Sequence, residues 1–460
     1  MKKIITIAIL LIATVTTHSQ SLGYQDLGVL FSENDDNGSA RFTSMSGAFG
    51  ALGGDVSAMN INPAGISVFT NSIFTGTLNS RNSDISSNYY GNSLTTQDNF
   101  FNLSHAGAVL VFDSAYKSDW SKFAIGFNYR ITKDFESSFL AQGNSGVATF
   151  TEFPLDNNTD PLNYNIADEQ RFSNTYNGEI SELNMAFSSV HQNKLYVGLG
   201  LNFYDLSFSQ QSLLTEFNSD VNGNELDANY YQENVTVGTG FSANAGFIYK
   251  ANQNFRFGLA YQTPTWYSEI IESTNITDND GYFGDTEIAV SNDNLVYNNT
   301  SGGYFPTQEL LYKLKTPSKL TASAAFIFGK DGLISLDYIN KSYQNMKLSN
   351  GVFTDENQFF QNELRNTHSF NLGTEWRLDR FSIRGGYKFE QDPSKYAEDN
   401  NNLKGYSLGA GYNFGNLKLD FSFSDSNRTS LYNFYAGFGV DPAALEIDNK
   451  TVTASISINL

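Results

Sequence analysis

The sequence has no cysteine, 8 prolines and 4 histidines in 460 residues. Without cysteine there are no disulfides, no thiolate metal sites and no sulfur nucleophile. Such a chain also suits an oxidising envelope compartment. His18 lies in the leader described below. His105, His191 and His368 are far apart and in no metal-binding spacing. Charge is scarce as well: 17% of residues are charged, against about 25% in an ordinary soluble protein. Little of it is positive. Lys and Arg number 28 against 48 Asp and Glu, a formal net charge of −20, which makes nucleic acid a poor partner. After the leader, no apolar run reaches the roughly 20 residues that a membrane-spanning helix needs.

What is abundant points elsewhere. Aromatics make up 15% of the chain, with 38 Phe, 26 Tyr and 38 Gly. Low charge with many Phe, Tyr, Gly and Asn fits a membrane β-barrel, whose wall meets lipid and whose rims carry aromatic girdles. On composition alone, a secreted all-β protein is the alternative. The first residues favour export. Lys2 and Lys3 precede a mostly apolar run from Ile4 to Val15, and Thr17 and Ser19 are small residues before Gln20. Residues 1–19 therefore read as a signal peptide. Removing it takes the formal charge from −20 to −22, because Lys2 and Lys3 are lost.

From residue 71 onward, apolar and polar residues alternate, the signature of half-buried strands. Leu417, Leu419, Phe421 and Phe423 alternate with Lys418, Asp420, Ser422 and Ser424. Leu195, Val197, Leu199, Leu201 and Phe203 do the same, as do Val452, Ala454, Ile456, Ile458 and Leu460. Fourteen such runs are expected, near 71–80, 101–113, 121–132, 179–190, 194–208, 231–250, 253–271, 308–329, 332–348, 364–378, 380–390, 403–414, 416–426 and 449–460. Short links such as His191–Lys194 and Phe414–Asn416 alternate with long polar stretches such as 132–178, 209–230 and 273–306. Outer-membrane barrels have short periplasmic turns, long extracellular loops and even strand counts.

One stretch breaks the pattern. GAFGALGGDVSAMNINPAGISVF, residues 47–69, is too rich in glycine for a helix, lacks strand alternation and is too apolar for a linker. With ARFTSMS before it, this stretch resembles the N-terminal region of the FadL/TodX family of outer-membrane transporters. The matching features are the small-residue run Gly47–Gly54, Asp55-Val56-Ser57-Ala58 and Asn62-Pro63-Ala64. NFRFGLAYQTP (254–264), the hairpin at 316–346 and GTEWRLDRFSIRGGYKFEQDP (373–393) are similar to later family segments. Members carry long-chain fatty acids or aromatic hydrocarbons.

The resemblance implies an all-β, 14-stranded antiparallel transmembrane barrel over residues 70–460, with residues 20–69 as a hatch in the lumen. It implies passive uptake of hydrophobic compounds by a monomer in the bacterial outer membrane, with no cofactor, no metal and no enzymatic activity. Cargo would leave sideways through a gap beside a kinked third strand. Asp55, Asn62, Pro63, Ala64 and Gly65 are the expected hatch residues. Gly126 would mark the bend in strand three, or else simply make room for the hatch. Lumen-phase Arg130, Arg256, Arg384 and Lys388 could meet a ligand carboxylate; the competing reading pairs them with inward acids such as Asp420 or Glu375. The second functional reading is an accessory barrel serving protein secretion at the cell surface. A lipase is third: Gly405-Tyr406-Ser407-Leu408-Gly409 fits a hydrolase motif that needs a strand–turn–helix elbow, but it sits in an alternating strand. Asn218–Gly223 and Asp278–Gly281 are similar to calcium loops, yet both depart from the ligand pattern.

Overall fold

The computed structural model describes residues 22–114, 119–149, 151–153, 162–278, 287–290, 295–298, 308–435 and 439–460. Its strands form a closed antiparallel barrel of fourteen spans. These are β1 (Ile73–Tyr89), β2 (Asn92–Asp113), β3 (Trp120–Asp134 and Ser137–Gly143), β4 (Ile166–His191), β5 (Leu195–Ser219), β6 (Glu225–Lys250) and β7 (Phe255–Gln262 and Trp266–Asp278). Then follow β8 (Gln308–Lys315 and Lys319–Phe328), β9 (Gly332–Lys341 and Lys347–Ser349), β10 (Thr367–Leu378), β11 (Phe381–Glu390), β12 (Leu403–Asn413), β13 (Leu417–Tyr432) and β14 (Ala443–Asn459). Pairing of β1 with β14, from Ile73↔Asn459 to Asn88↔Ala444, closes the wall.

Two-residue periodicity decides which side chain meets which medium. Leu199, Leu201 and Phe203 of β5 and Ile456 and Ile458 of β14 point out and are exposed. Asn202, Ser242, Asn244, Asp337, Glu375 and Asp420 point in and are buried. Aromatic pairs ring the end that carries the short turns, among them Phe112–Phe123, Tyr249–Phe257, Phe328–Trp376 and Tyr412–Phe414. This is the periplasmic girdle of a membrane barrel.

The strands are longer than expected on one side. β1 and β2 run on to a two-residue turn at Tyr90-Gly91, with φ of 42° and 85°. Positive φ at both positions is what a type I′ hairpin needs. Much of the expected loop at 132–178 and nearly all of 209–230 is strand: β4, β5 and β6 are 26, 25 and 26 residues long. Only about 9–11 residues are needed to cross the bilayer. Above the lipid the outward face turns polar and the inward face mixes Leu206, Phe208 and Leu214 with Gln210 and Ser212, so the apolar-outward alternation ends while the backbone ladder continues. On the other side β10, β11 and β12 have only 12, 10 and 11 residues. The rim is therefore high over β4–β6 and low over β10–β12.

Residues 22–69 fill the lumen. Helix α1 (Tyr24–Leu30) lies in the outer half, and α2 (Ala40–Thr43) and two 3-10 turns (Val56–Asn60 and Pro63–Val68) lie toward the periplasmic end. A third helix, α3 (Thr354–Asn362), caps the low side between β9 and β10.

Candidate functional site

The lower half of the N-terminal segment is wedged against a belt of wall glycines. A Cβ at Gly198 would lie 2.4 Å from the Ala64 amide nitrogen, and one at Gly126 would lie 2.6 Å from the Met59 methyl. Gly246, Gly258 and Gly409 are as close to Asn62, Gly50 and Ser44. These glycines come from β3, β5, β6, β7 and β12; at Gly198 and Gly258 the segment's backbone touches the wall, and at the other three the side chains of Met59, Asn62 and Ser44 do. Phe42, Met45, Phe49, Met59 and Ile66 are buried there. Each contributes about 1.5–3 kcal/mol of hydrophobic stabilisation.

Polar groups are matched as closely. The Asn62 side chain donates to the carbonyls of Gly50 (2.8 Å) and Phe247 of β6 (3.0 Å), while its oxygen accepts from Ala64 N–H. Pro63 starts the second 3-10 turn, where its missing N–H costs nothing. Gly65 packs on Gly53 at a distance no side chain fits. Asp55 caps the first 3-10 turn through Ser57 N–H and accepts from the Ser39 hydroxyl at 2.8 Å. Asp55, Asn62, Pro63 and Gly65 thus make contacts within this lower plug, and Ala64 lies against Gly198 of the wall. His105 sits fully buried between Ser57 and Thr77, joining plug to wall.

The upper half is built differently. Residues 33–37, ENDDN, cross a polar cavity of about 190 Å³. Arg428 grips Glu33 with two bonds of 2.8 and 3.0 Å, and Lys133 adds a third at 2.9 Å. The two cations hold the Glu33 carboxyl well below the usual carboxylate range. Lys388 reaches Asp36 at 2.9 Å. Above them α1 inserts Leu27 and Phe31 into an apolar cluster with Phe135, Phe208, Ile270, Tyr312 and Phe360. Asp26 lies on the exposed side of α1, outside this cluster, and desolvation by the surrounding wall raises its carboxyl to about 6. The first helix thus fills an apolar chamber in the outer half of the lumen.

The four expected ligand cations have other work. Arg130 pairs with Glu182 at 2.9 Å. Arg384 bridges Glu375 and Asp420 at 2.7 and 2.6 Å, the pairing with inward acids weighed above. Lys388 serves Asp36 and Glu390. Arg256 donates to the Leu52 carbonyl at 3.1 Å and so holds the plug. The residue that sequence reasoning missed is Lys319. It faces inward on β8 directly opposite Lys341 of β9. Two lysines side by side repel; Lys341 is neutralised by Glu390 at 2.6 Å. The Lys319 ammonium has no ion pair or hydrogen bond among the described residues, and Arg130 is an electrostatic neighbour. The lumen-phase pairing of two lysines across a hairpin was the available signal.

The wall itself is interrupted beside β3. Its ladder with β2 runs from Asp113↔Lys122 to His105↔Arg130 and stops there. Above His105, β2 pairs with β1 alone. Strand β3 breaks at Phe135–Glu136, where Phe135 N–H bonds to Gly178 O and its ring turns into the apolar cluster. Pairing through Gly126 is continuous on both sides, so the bend lies nine residues beyond it and Gly126 makes room for Met59 instead. Side chains stitch the unpaired stretch. Arg81 bonds to the Glu136 carbonyl at 2.7 Å and the Asp134 carboxylate at 3.3 Å. Asp98 accepts from both Ser138 donors, and Asn102 donates to Asp134.

Residues 28–430 match the family described as "Outer membrane protein transport protein (OMPP1/FadL/TodX)". The chain belongs to the FadL/TodX family. It is therefore an outer-membrane barrel of a family that transports hydrophobic compounds. No curated protein matches the sequence. Among solved structures, a FadL homologue of Pseudomonas aeruginosa aligns with a TM-score of 0.62 at 17% identity, over 93% of this chain and 99% of that one. The toluene transporter TodX of P. putida gives 0.53 at 13% identity, over 93% and 99%. TbuX, a toluene transporter of Ralstonia pickettii, gives 0.51 at 14%, over 92% and 99%. At these identities the likeness is one of fold. In this FadL/TodX member the hydrolase-like run 405–409 is plain strand within β12, and Ser407 bonds to Ser46 of the plug at 2.9 Å. The 218–223 loop closes on itself, with Asp220 taking N–H groups from Asn222 and Asn224. The second calcium-like run falls largely outside the described residues.

Proposed function

We propose that this barrel takes up hydrophobic compounds such as long-chain fatty acids, which pass from the apolar chamber sideways into the outer membrane between β2 and β3. One observation carries the reading: the wall is unpaired there while the periplasmic end is packed shut. A greasy molecule gains about 0.8 kcal/mol per buried CH₂, so an apolar chamber opening toward lipid is a downhill path. Lys319 at the foot of the chamber supports a carboxylate head group, because it is an inward cation without an acid of its own. Residues 22–69 then act as the hatch, and α1 must leave the chamber when cargo enters.

The absence of cysteine makes a direct test simple. Cysteines introduced by Asn102→Cys and Asp134→Cys, joined by a bifunctional thiol linker, lock the gap. Radiolabelled oleate uptake by cells carrying the locked barrel is expected to drop to the level of cells without it. Undiminished uptake with the gap locked overturns the lateral route. Lys319→Ala is expected to slow oleate uptake while leaving an uncharged hydrocarbon unaffected; equal slowing of both refutes the head-group role.

A further inference from the structure

A second hollow lies outside the lumen, on the lipid-facing surface of β3–β7, with a volume of about 490 Å³. Ligand sites commonly have volumes of roughly 300–1,000 Å³. Four aromatic side chains stand around it, Tyr129, Phe203, Phe241 and Trp266, and all four are exposed. Between them are the hydroxyls of Ser181, Thr239 and Ser268 and the carboxylate of Asp205.

Its height follows from the sequence. On β5 the outward residues are apolar from Leu195 to Phe203 and turn polar at Asp205, Ser207 and Ser209. That apolar run spans nine residues, about what is needed to cross the bilayer. Leu183 gives way to Ser181 on β4 and Phe241 to Thr239 on β6 at the same level. The hollow therefore straddles the boundary between acyl chains and head groups of the outer leaflet.

Its charge is one-sided. No Lys, Arg or His lines it. Asp205 has no hydrogen bond or ion pair among the described residues. Glu179, bonded by the Tyr129 hydroxyl at 3.4 Å, is its electrostatic neighbour. An unpaired carboxylate at the edge of a membrane is costly unless something positive or hydrogen-bonding meets it. Aromatic faces beside a carboxylate are the setting in which an ammonium group binds, by ion pairing and by cation–π attraction.

We propose that this hollow binds a membrane lipid whose head group carries a primary ammonium. The ammonium meets Asp205 between the Tyr129 and Trp266 rings, the lipid's polar oxygens meet the hydroxyls, and an acyl chain runs down over Leu183, Phe203 and Phe241. The site is on the outside of the wall and stands apart from the transport reading.

The test is native mass spectrometry of the full barrel released from mixed micelles containing equal phosphatidylethanolamine, phosphatidylglycerol and an amine-free glycolipid. Phosphatidylethanolamine is expected to stay bound at collision energies that strip the other two. Asp205→Asn and Trp266→Ala, both facing outward and checked for the heat-dependent gel shift of a folded barrel, are each expected to reduce its retention about tenfold, as loss of one ion pair or cation–π contact predicts. Equal retention of phosphatidylglycerol, preferential retention of the glycolipid, or unchanged retention by folded Asp205→Asn overturns the proposal.

Discussion

The two halves of the N-terminal segment occupy one lumen and are held in opposite ways. Residues 40–69 lie tight against wall glycines, backbone to backbone at Gly198 and Gly258, with hydrogen bonds such as Asn62 to Phe247 O. Residues 22–39 touch it mainly with side chains, through the Glu33 ion pairs and the apolar packing of α1, with one backbone bond from Asp35 N–H to Thr132 O. Backbone against backbone leaves no rotamer to change, so the lower half can leave only if the wall deforms. Side-chain contacts can be exchanged for others of the same kind, and an acyl chain could replace Leu27 and Phe31 with little change in buried apolar area. In the proposed transport route the difference separates a lasting seal from an occupant that cargo replaces.

The largest test of that contrast is Gly198→Val. Its added carbons would overlap Ala64 backbone, and failure to form a heat-modifiable barrel, or a barrel with an expelled plug and raised ion conductance, is expected. Gly76, which faces outward with only the Phe74 ring within 4 Å, is the control: Gly76→Ala should fold and seal normally. Next come two deletions compared in planar bilayers. Removing 40–68 should turn the barrel into a conducting pore, whereas removing 22–31 should leave conductance near the wild-type value and open only the chamber. Equal conductance for both would erase the distinction.

The smallest effect separates two acids of the upper half by pH. Asp26 has its carboxyl raised from 3.8 to about 6 by desolvation, so docking of α1 is strongest when the group is protonated. That contribution falls as pH rises from about 4 to about 6, and it is small because Asp26 is exposed to screening solvent. Glu33 has the opposite sign. Its carboxyl is lowered, so its ion pairs contribute fully at neutral pH and are lost only in acid below the normal carboxylate range. Hydrogen exchange of residues 24–31 should therefore speed up between pH 4 and 6.5 beyond its intrinsic pH trend, and Asp26→Asn should flatten that excess. Glu33→Gln should loosen the segment at neutral pH instead.

Much of this was legible in the residues. The lipid-crossing part of each strand declares itself because one face meets hydrocarbon and the other water, as in Leu417–Ser424. Short turns and strand parity then fix the count. The palisade of β4–β6 was not legible, since the outward face turns polar at Ser207, Ser209 and Gln211 while the inward face mixes Phe208 and Leu214 with Gln210 and Ser212, which ends the apolar-outward alternation. The plug announced itself by its glycines, but its partners on the wall did not: Gly198 and Gly409 look like any small residue in a strand until something is placed against them. The bend of β3 lies at Phe135, which reaches an inner cluster, and not at a glycine; of the two readings of Gly126, its packing on Met59 agrees with room for the plug. Lys319 was passed over because an isolated lysine carries no pattern; its meaning comes from its neighbour across the hairpin.

The glycine belt also constrains the order of assembly. Wall strands from β3 to β12 contact the plug at distances that admit no side chain, and β1 follows the plug directly in the chain. A finished barrel could not admit residues 40–69 from either end without parting those strands. The plug must already be in place when β14 meets β1, so the wall is cast around it, and the last hydrogen bonds to form are the seam of the mould.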